Sequence, residues 1–116
     1  MNRHTEHMLV ATPPAPSSAA SATRVLDLAS GRWRVEVLFV LAEGPRRFNE
    51  LLRALEGLSG TVLARVLRAL EHEGLVARND GYAITPLGES LVELLNDIAE
   101  WGRTNLEGVA ATRHSW

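Results

Sequence analysis

Hydrophobic positions recur with a helical period in five stretches of this chain and alternate briefly in two others. The most informative stretch is residues 59–72, Ser-Gly-Thr-Val-Leu-Ala-Arg-Val-Leu-Arg-Ala-Leu-Glu-His. At about 100° per residue, Leu63, Val66, Leu67 and Leu70 gather on one side of a helix, and Thr61, Arg65, Arg68 and His72 fall within roughly 60° of one another on the opposite side. One stripe is built for burial. The other offers two guanidiniums and a hydroxyl to solvent. Ser59 is placed to cap this helix, and Gly74 to end it.

The flanking pattern predicts the remaining elements. Val25, Leu26, Leu28 and Ala29 indicate a short helix beginning near Thr23 and stopped by Ser30-Gly31. Residues 32–42 are apolar around most of a helical circumference, which predicts burial on nearly all sides. Gly44-Pro45 ends that helix, and Arg46-Arg47-Phe48 reads as briefly extended. Asn49 is the expected N-cap of a helix carrying Leu51, Leu52 and Leu55, closed by Gly57. Residues 75–78 and 82–85 read as two short strands joined at Asn79-Asp80-Gly81, a sequence suited to positive φ in a hairpin turn. Thr85-Pro86 then forms an N-cap with proline in the first helical position. The final helix carries Leu87, Leu91, Leu94, Leu95, Ile98 and Trp101 on one stripe, with Glu89, Glu93, Asp97 and Glu100 largely away from it. Residues 1–22, with Pro13, Pro14 and Pro16 among Ala, Ser and Thr, show no hydrophobic period and read as a flexible tail. Three segments are therefore expected: the tail 1–22, a domain over 23–103, and an extension over 104–116.

Composition narrows the function. The 116 residues, 46% hydrophobic and 22% charged, are those of one soluble domain with a modest core. With no cysteine, disulfides, thiolate catalysis and cysteine-based zinc sites or redox sensing are excluded. No apolar run approaches the ~20 residues of a membrane span. No secretory leader is evident, so the expected compartment is the cytoplasm. The net charge of −2 conceals an asymmetry. Between residues 46 and 68, Arg46, Arg47, Arg53, Arg65 and Arg68 outweigh Glu50 and Glu56 by three charges. From residue 81 onward, Glu89, Glu93, Asp97, Glu100 and Glu107 outweigh Arg103 and Arg113 by three. A basic middle and an acidic end suit a protein that meets a polyanion through its centre.

The order helix, helix, short strand, helix, helix, hairpin, helix is that of a winged helix: mainly α with a small β-hairpin. Four segments resemble the HxlR-type family of bacterial transcriptional regulators. They are Leu28-Ala29-Ser30-Gly31-Arg32-Trp33, Gly44-Pro45-Arg46-Arg47-Phe48-Asn49-Glu50-Leu51, Leu70-Glu71-His72-Glu73-Gly74-Leu75-Val76, and residues 84–91 continuing to Trp101-Gly102. The second is the most specific, and the third is shared by many winged helices. The resemblance spans about residues 24–103. It implies a homodimer joined through the N- and C-terminal helices, one reading helix per subunit, and sequence-specific binding near a promoter. The chain departs from the family in a shorter wing, in Gly60-Thr61 where a proline and a lysine are usual, and in lacking the N-terminal cysteine through which some relatives sense oxidants.

The candidate chemistry follows. Arg65 and Arg68 are expected at base edges, where arginine can bond guanine O6 and N7 together. Thr61 could meet a thymine methyl or a phosphate, and Ser59 with the free N–H groups around it a phosphate at the helix N-terminus. Arg46, Arg47 and Asn49 are expected on the DNA backbone, with Arg53 and Arg78 as weaker candidates. Each arginine could instead be merely solvated, and Ser59 only a cap. A dimer seam is expected over Leu26, Trp33, Leu91, Leu94, Leu95, Ile98 and Trp101, although Trp33 and Trp101 could equally be core anchors. His4 and His7, at i, i+3, are a poor metal site on a flexible tail. No metal or cofactor is implied, and no nucleophile elbow, ligand spacing or phosphate loop argues for an enzyme. The expected partners are double-stranded DNA, a second copy of the chain and, left open, a small-molecule effector. The competing reading is a winged-helix adaptor that binds protein and has little DNA affinity; the clustered arginines argue against it.

Overall fold

The computed structural model describes residues 14–114, which divide at Arg32/Trp33 into two compact units. The first, as described, is helix α1, Pro14–Ala29. It begins at Pro14 rather than near Thr23, so residues 14–22, expected as tail, are helical. The physical reason is that alanine needs no amphipathic period to favour a helix, and proline is well tolerated in the first turn. The end comes as expected: both the N–H and the Oγ of Ser30 donate to the carbonyl of Asp27. His4, His7 and Trp116 lie outside the described residues.

The second unit carries α2 (Arg34–Ala42), α3 (Phe48–Ala54), α4 (Gly60–His72), strands β1 (Val76–Arg78) and β2 (Tyr82–Ile84), and α5 (Pro86–His114). The strands form an antiparallel hairpin in which Val76 pairs with Ile84 and Arg78 with Tyr82. Arg46 adds an isolated bridge to Tyr82, its N–H and C=O both bonded to that residue. This is the short extended segment expected before α3. Of the three turn residues only Gly81 takes positive φ, at 133°.

The core is aliphatic. Val37, Leu38 and Leu41 of α2 meet Leu51 and Leu55 beside α3, the predicted stripe Leu63, Val66, Leu67 and Leu70 of α4, and Leu75 and Val76 of the hairpin. Helix α2 is less enclosed than its composition suggests: Glu36 and Ala42 are exposed, and Val35, Phe39 and Val40 are half-buried. The chain leaves α4 through a Schellman turn. Gly74 N–H donates to the Glu71 carbonyl and Leu75 N–H to the Leu70 carbonyl, with Gly74 at φ 78°. Thr85 caps α5 as predicted, its Oγ1 accepting from Gly88 N–H at 3.0 Å while donating to the Gly74 carbonyl at 2.7 Å.

Helix α5 splits the predicted stripe in two. Leu91 and Leu95, expected at a dimer seam, are buried within their own subunit together with Val92. Leu87, Leu94, Ile98 and Trp101 remain exposed, and Leu106 and Val109 extend the exposed apolar face toward the C-terminus. Two faces of one helix cannot both turn to the same core, so a leucine stripe this wide must leave part of itself outside. The helix continues without a break past residue 103 to His114.

Candidate nucleic-acid interface

Helices α3 and α4, joined by a turn that includes Gly57 (φ 89°), form a helix-turn-helix, and the hairpin stands beside them. Ser59 caps α4 as its sequence requires, with Oγ accepting from Val62 N–H at 3.1 Å. Thr61, Arg65, Arg68 and His72 are all exposed, opposite four buried residues. Among the described residues, neither Arg65 nor Arg68 has an ion-pair partner. Two guanidiniums one helical turn apart are therefore presented to solvent by a helix whose other face is fixed in the core.

Helix α3 begins two residues earlier than predicted. Its N-cap is Arg47, so Asn49 is the second helical residue, exposed and not a cap. The cause is Glu50, whose carboxylate accepts the Arg47 backbone N–H at 2.7 Å and so closes the first turn. This is the acidic half of a capping box; a guanidinium has no acceptor with which to supply the other half.

The two adjacent arginines differ. Arg46 is folded back on its own turn, with Nη1 donating to the Gly44 carbonyl at 2.6 Å and Nη2 to Glu43 at 3.3 Å. Together with its backbone bridge to Tyr82, this ties Arg46 into the fold, with its side chain still 26% exposed. Arg47 is exposed and reaches across to the hairpin tip, its Nη2 3.0 Å from Asp80 Oδ2. Arg78 stands over the Tyr82 ring, 5.6 Å from its centroid.

These elements enclose an open groove of about 820 Å³. Arg47, Arg53, Arg68 and Arg78 line it, interleaved with Glu50, Glu71 and Asp80. Arg65 and Thr61 lie outside it, on the other margin of the α4 stripe. Arg53, a weaker candidate from the sequence, lines this groove with the other arginines, and so does Asp80, expected only as a turn residue. Asp80 is 33 residues from Arg47, and no local spacing could have signalled their pairing. Trp33, expected at a dimer seam or as a core anchor, is half-buried and reaches the helix-turn-helix. Its indole edge is 3.9 Å from where a Cβ on Gly57 would stand.

A helix-turn-helix followed by a two-stranded wing, with the exposed face of its second helix carrying unpaired arginines, defines a winged helix-turn-helix transcriptional regulator. The chain belongs to the HxlR-like helix-turn-helix family, whose pattern matches residues 28–110. It is 38% identical over 97 residues to the HTH-type transcriptional regulator YtfH of Escherichia coli, an alignment covering 77% of each chain. A solved structure from Enterococcus faecalis, assigned to the MarR family of transcriptional regulators, superposes with a TM-score of 0.75 at 29% identity, covering 87% of this chain and 99% of its own. The quinone-bound structure of YodB from Bacillus subtilis superposes with a TM-score of 0.65 at 28% identity, covering 76% and 98%. Among the described residues no helix is long and apolar enough to cross a membrane.

Proposed function

We propose that the protein binds an inverted-repeat operator as a homodimer, with α4 of each subunit in the major groove. One observation carries the reading: α4 buries Leu63, Val66, Leu67 and Leu70 while presenting unpaired Arg65 and Arg68 on its opposite face. Arg65 and Arg68 read base edges, where a bidentate contact contributes about 1–3 kcal/mol of discrimination. Thr61, in the first turn, meets a thymine methyl or a phosphate. Ser59 and the N-terminal amides of α4 hold a phosphate, which capping by Ser59 does not prevent. Arg47, with Asn49, grips the DNA backbone beside the groove, and Arg53 and Arg78 add to it from the groove walls. Arg46 contributes by shaping the turn.

Dimerisation is assigned to the exposed apolar face of α5 around Leu94, Ile98 and Trp101, with Leu26 of α1 as a second contribution. That face gives a second subunit something to cover, which Leu91, Leu95 and Trp33 do not. The quinone bound to YodB supports a small-molecule effector for this protein too. Since the chain has no cysteine, such an effector would act without a bond to a cysteine thiol.

The test is binding to the DNA upstream of the protein's own gene, against a scrambled duplex of equal length, over a salt series. A preference of at least ~10³ is expected for an operator. Replacing Arg65 and Arg68 by alanine should relax preference at particular base pairs while leaving non-specific binding nearly intact. Unchanged base preference in the double variant would refute the assignment of the reading face. Absence of binding even at low salt would favour a protein-binding adaptor.

A further inference from the structure

We infer that Trp33 and Arg34, the two residues that open α2, are positioning residues for α4, holding the reading helix from both of its ends. The inference rests on the proposed role of α4 in reading DNA. Trp33 reaches the turn that leads into α4, with its indole edge beside Gly57. Arg34 reaches the other end, where its Nη2 pairs with Oε1 of Glu73, the C-cap residue of α4. Two consecutive residues thus touch the segment before α4 and the residue that closes it.

Neither contact is what local structure would choose. Among the described residues, Trp33 is the one non-glycine residue with positive φ, at 84°. A bulky side chain takes that conformation only where its surroundings over-determine it, and such strain tends to gather at functional positions. The Arg34–Glu73 pair is similarly placed against local preference. Arg34 is the first residue of α2 and Glu73 caps the end of α4. A cation at a helix N-terminus and an anion at a C-terminus each oppose the helix dipole. Each charge is disfavoured by its own helix and satisfied by the other. The pair is also partly buried, the side chains being 14% and 30% exposed, so loss of one partner leaves the other poorly solvated.

The function of such a clamp is to fix α4 along its axis and about it. Bidentate contacts to bases depend on that placement, whereas phosphate contacts from long arginine side chains tolerate a shift. Loosening the clamp should therefore separate specific from non-specific binding.

The experiment compares the full-length protein with Arg34→Gln, Glu73→Gln, Trp33→Phe and the exchange Arg34→Glu/Glu73→Arg. Two quantities are read: amide hydrogen exchange along α4 in the free protein, and affinity for the upstream DNA and for a scrambled duplex. In the two glutamine variants, exchange in the last turn of α4 should quicken. Preference for the upstream DNA should fall about tenfold, while affinity for the scrambled duplex changes less than about twofold. Trp33→Phe should quicken exchange in the first turn instead. The exchanged pair restores the contact and aligns both charges with their helix dipoles, so it should recover slow exchange and DNA preference together. Unaltered exchange along α4 in the single variants would overturn the inference, as would equal losses on both duplexes. If the unmodified protein distinguishes no duplex, the DNA reading fails, and exchange along α4 alone decides whether the clamp exists.

Discussion

Gly88 offers the sharpest test of how the wing is fastened to the rest of the regulator. It is the third residue of α5, buried, with its backbone pressed against the hairpin. A Cβ added there would land on the carbonyl oxygen of Leu75 and 2.6 Å from Cγ1 of Ile84. Ile84 could turn aside, but the carbonyl cannot, because it accepts the Thr85 N–H at 3.1 Å and Leu75 is itself tied to α4 by its bond to the Leu70 carbonyl. Gly88→Ala gains about 1 kcal/mol of helix propensity. Against this stands the displacement of packed backbone, for which overpacking costs of about 1–3 kcal/mol are typical and fixed backbone lies at the upper end. A net loss of about 1–2 kcal/mol is expected, which lowers Tm by roughly 4–16 °C in a domain of this size. Gly108→Ala is the control: it lies in the same helix with nothing within 4 Å of the added carbon, and it is exposed. It should raise stability by up to about 1 kcal/mol. Urea and thermal unfolding at one fixed protein concentration measure both variants, since dimerisation would make Tm depend on concentration. If Gly88→Ala proved as stable as Gly108→Ala, the close approach of α5 to the hairpin would be refuted.

Two further outcomes are expected. Asp80→Asn removes the hairpin-tip carboxylate from Arg47; with the two side chains 67% and 89% exposed, stability should change by less than about 1 kcal/mol. The freed guanidinium should tighten non-specific DNA binding at low salt and steepen the salt dependence by up to ~0.9, and an unaltered slope would place Arg47 away from phosphate. Trp101→Glu puts a charge on the exposed apolar face of α5, and sedimentation should show it monomeric where the unmodified protein is expected to be a dimer; a dimer that survives both this change and Ile98→Glu would move the seam elsewhere.

Much of the fold was legible because its signals are local. The buried stripe of α4, the caps at Ser59 and Thr85, the stops at Gly44 and Gly74 and the hairpin at Gly81 each depend on a few neighbouring residues and the period of the backbone. Arg65 and Arg68 were legible for the same reason, since residues opposite a buried stripe must face outward. The early start of α1 was hidden because alanine- and serine-rich sequence carries no hydrophobic period, although it forms helix readily. Asn49 was misplaced as a cap because Glu50 can close the turn from Arg47, and two plausible caps two residues apart compete.

The sequence by itself thus determined which elements form and which side of α4 faces out, because hydrogen bonds and side-chain period within one element settle both. Only the tertiary structure decided how charges far apart in the chain are spent. It joined Arg47 to Asp80 and Arg34 to Glu73, and it drew Leu91 and Leu95 into the core while leaving Leu94, Ile98 and Trp101 outside. Those outcomes depend on which surfaces meet when the helices pack, and a local pattern contains no information about the distance between residues on separate elements.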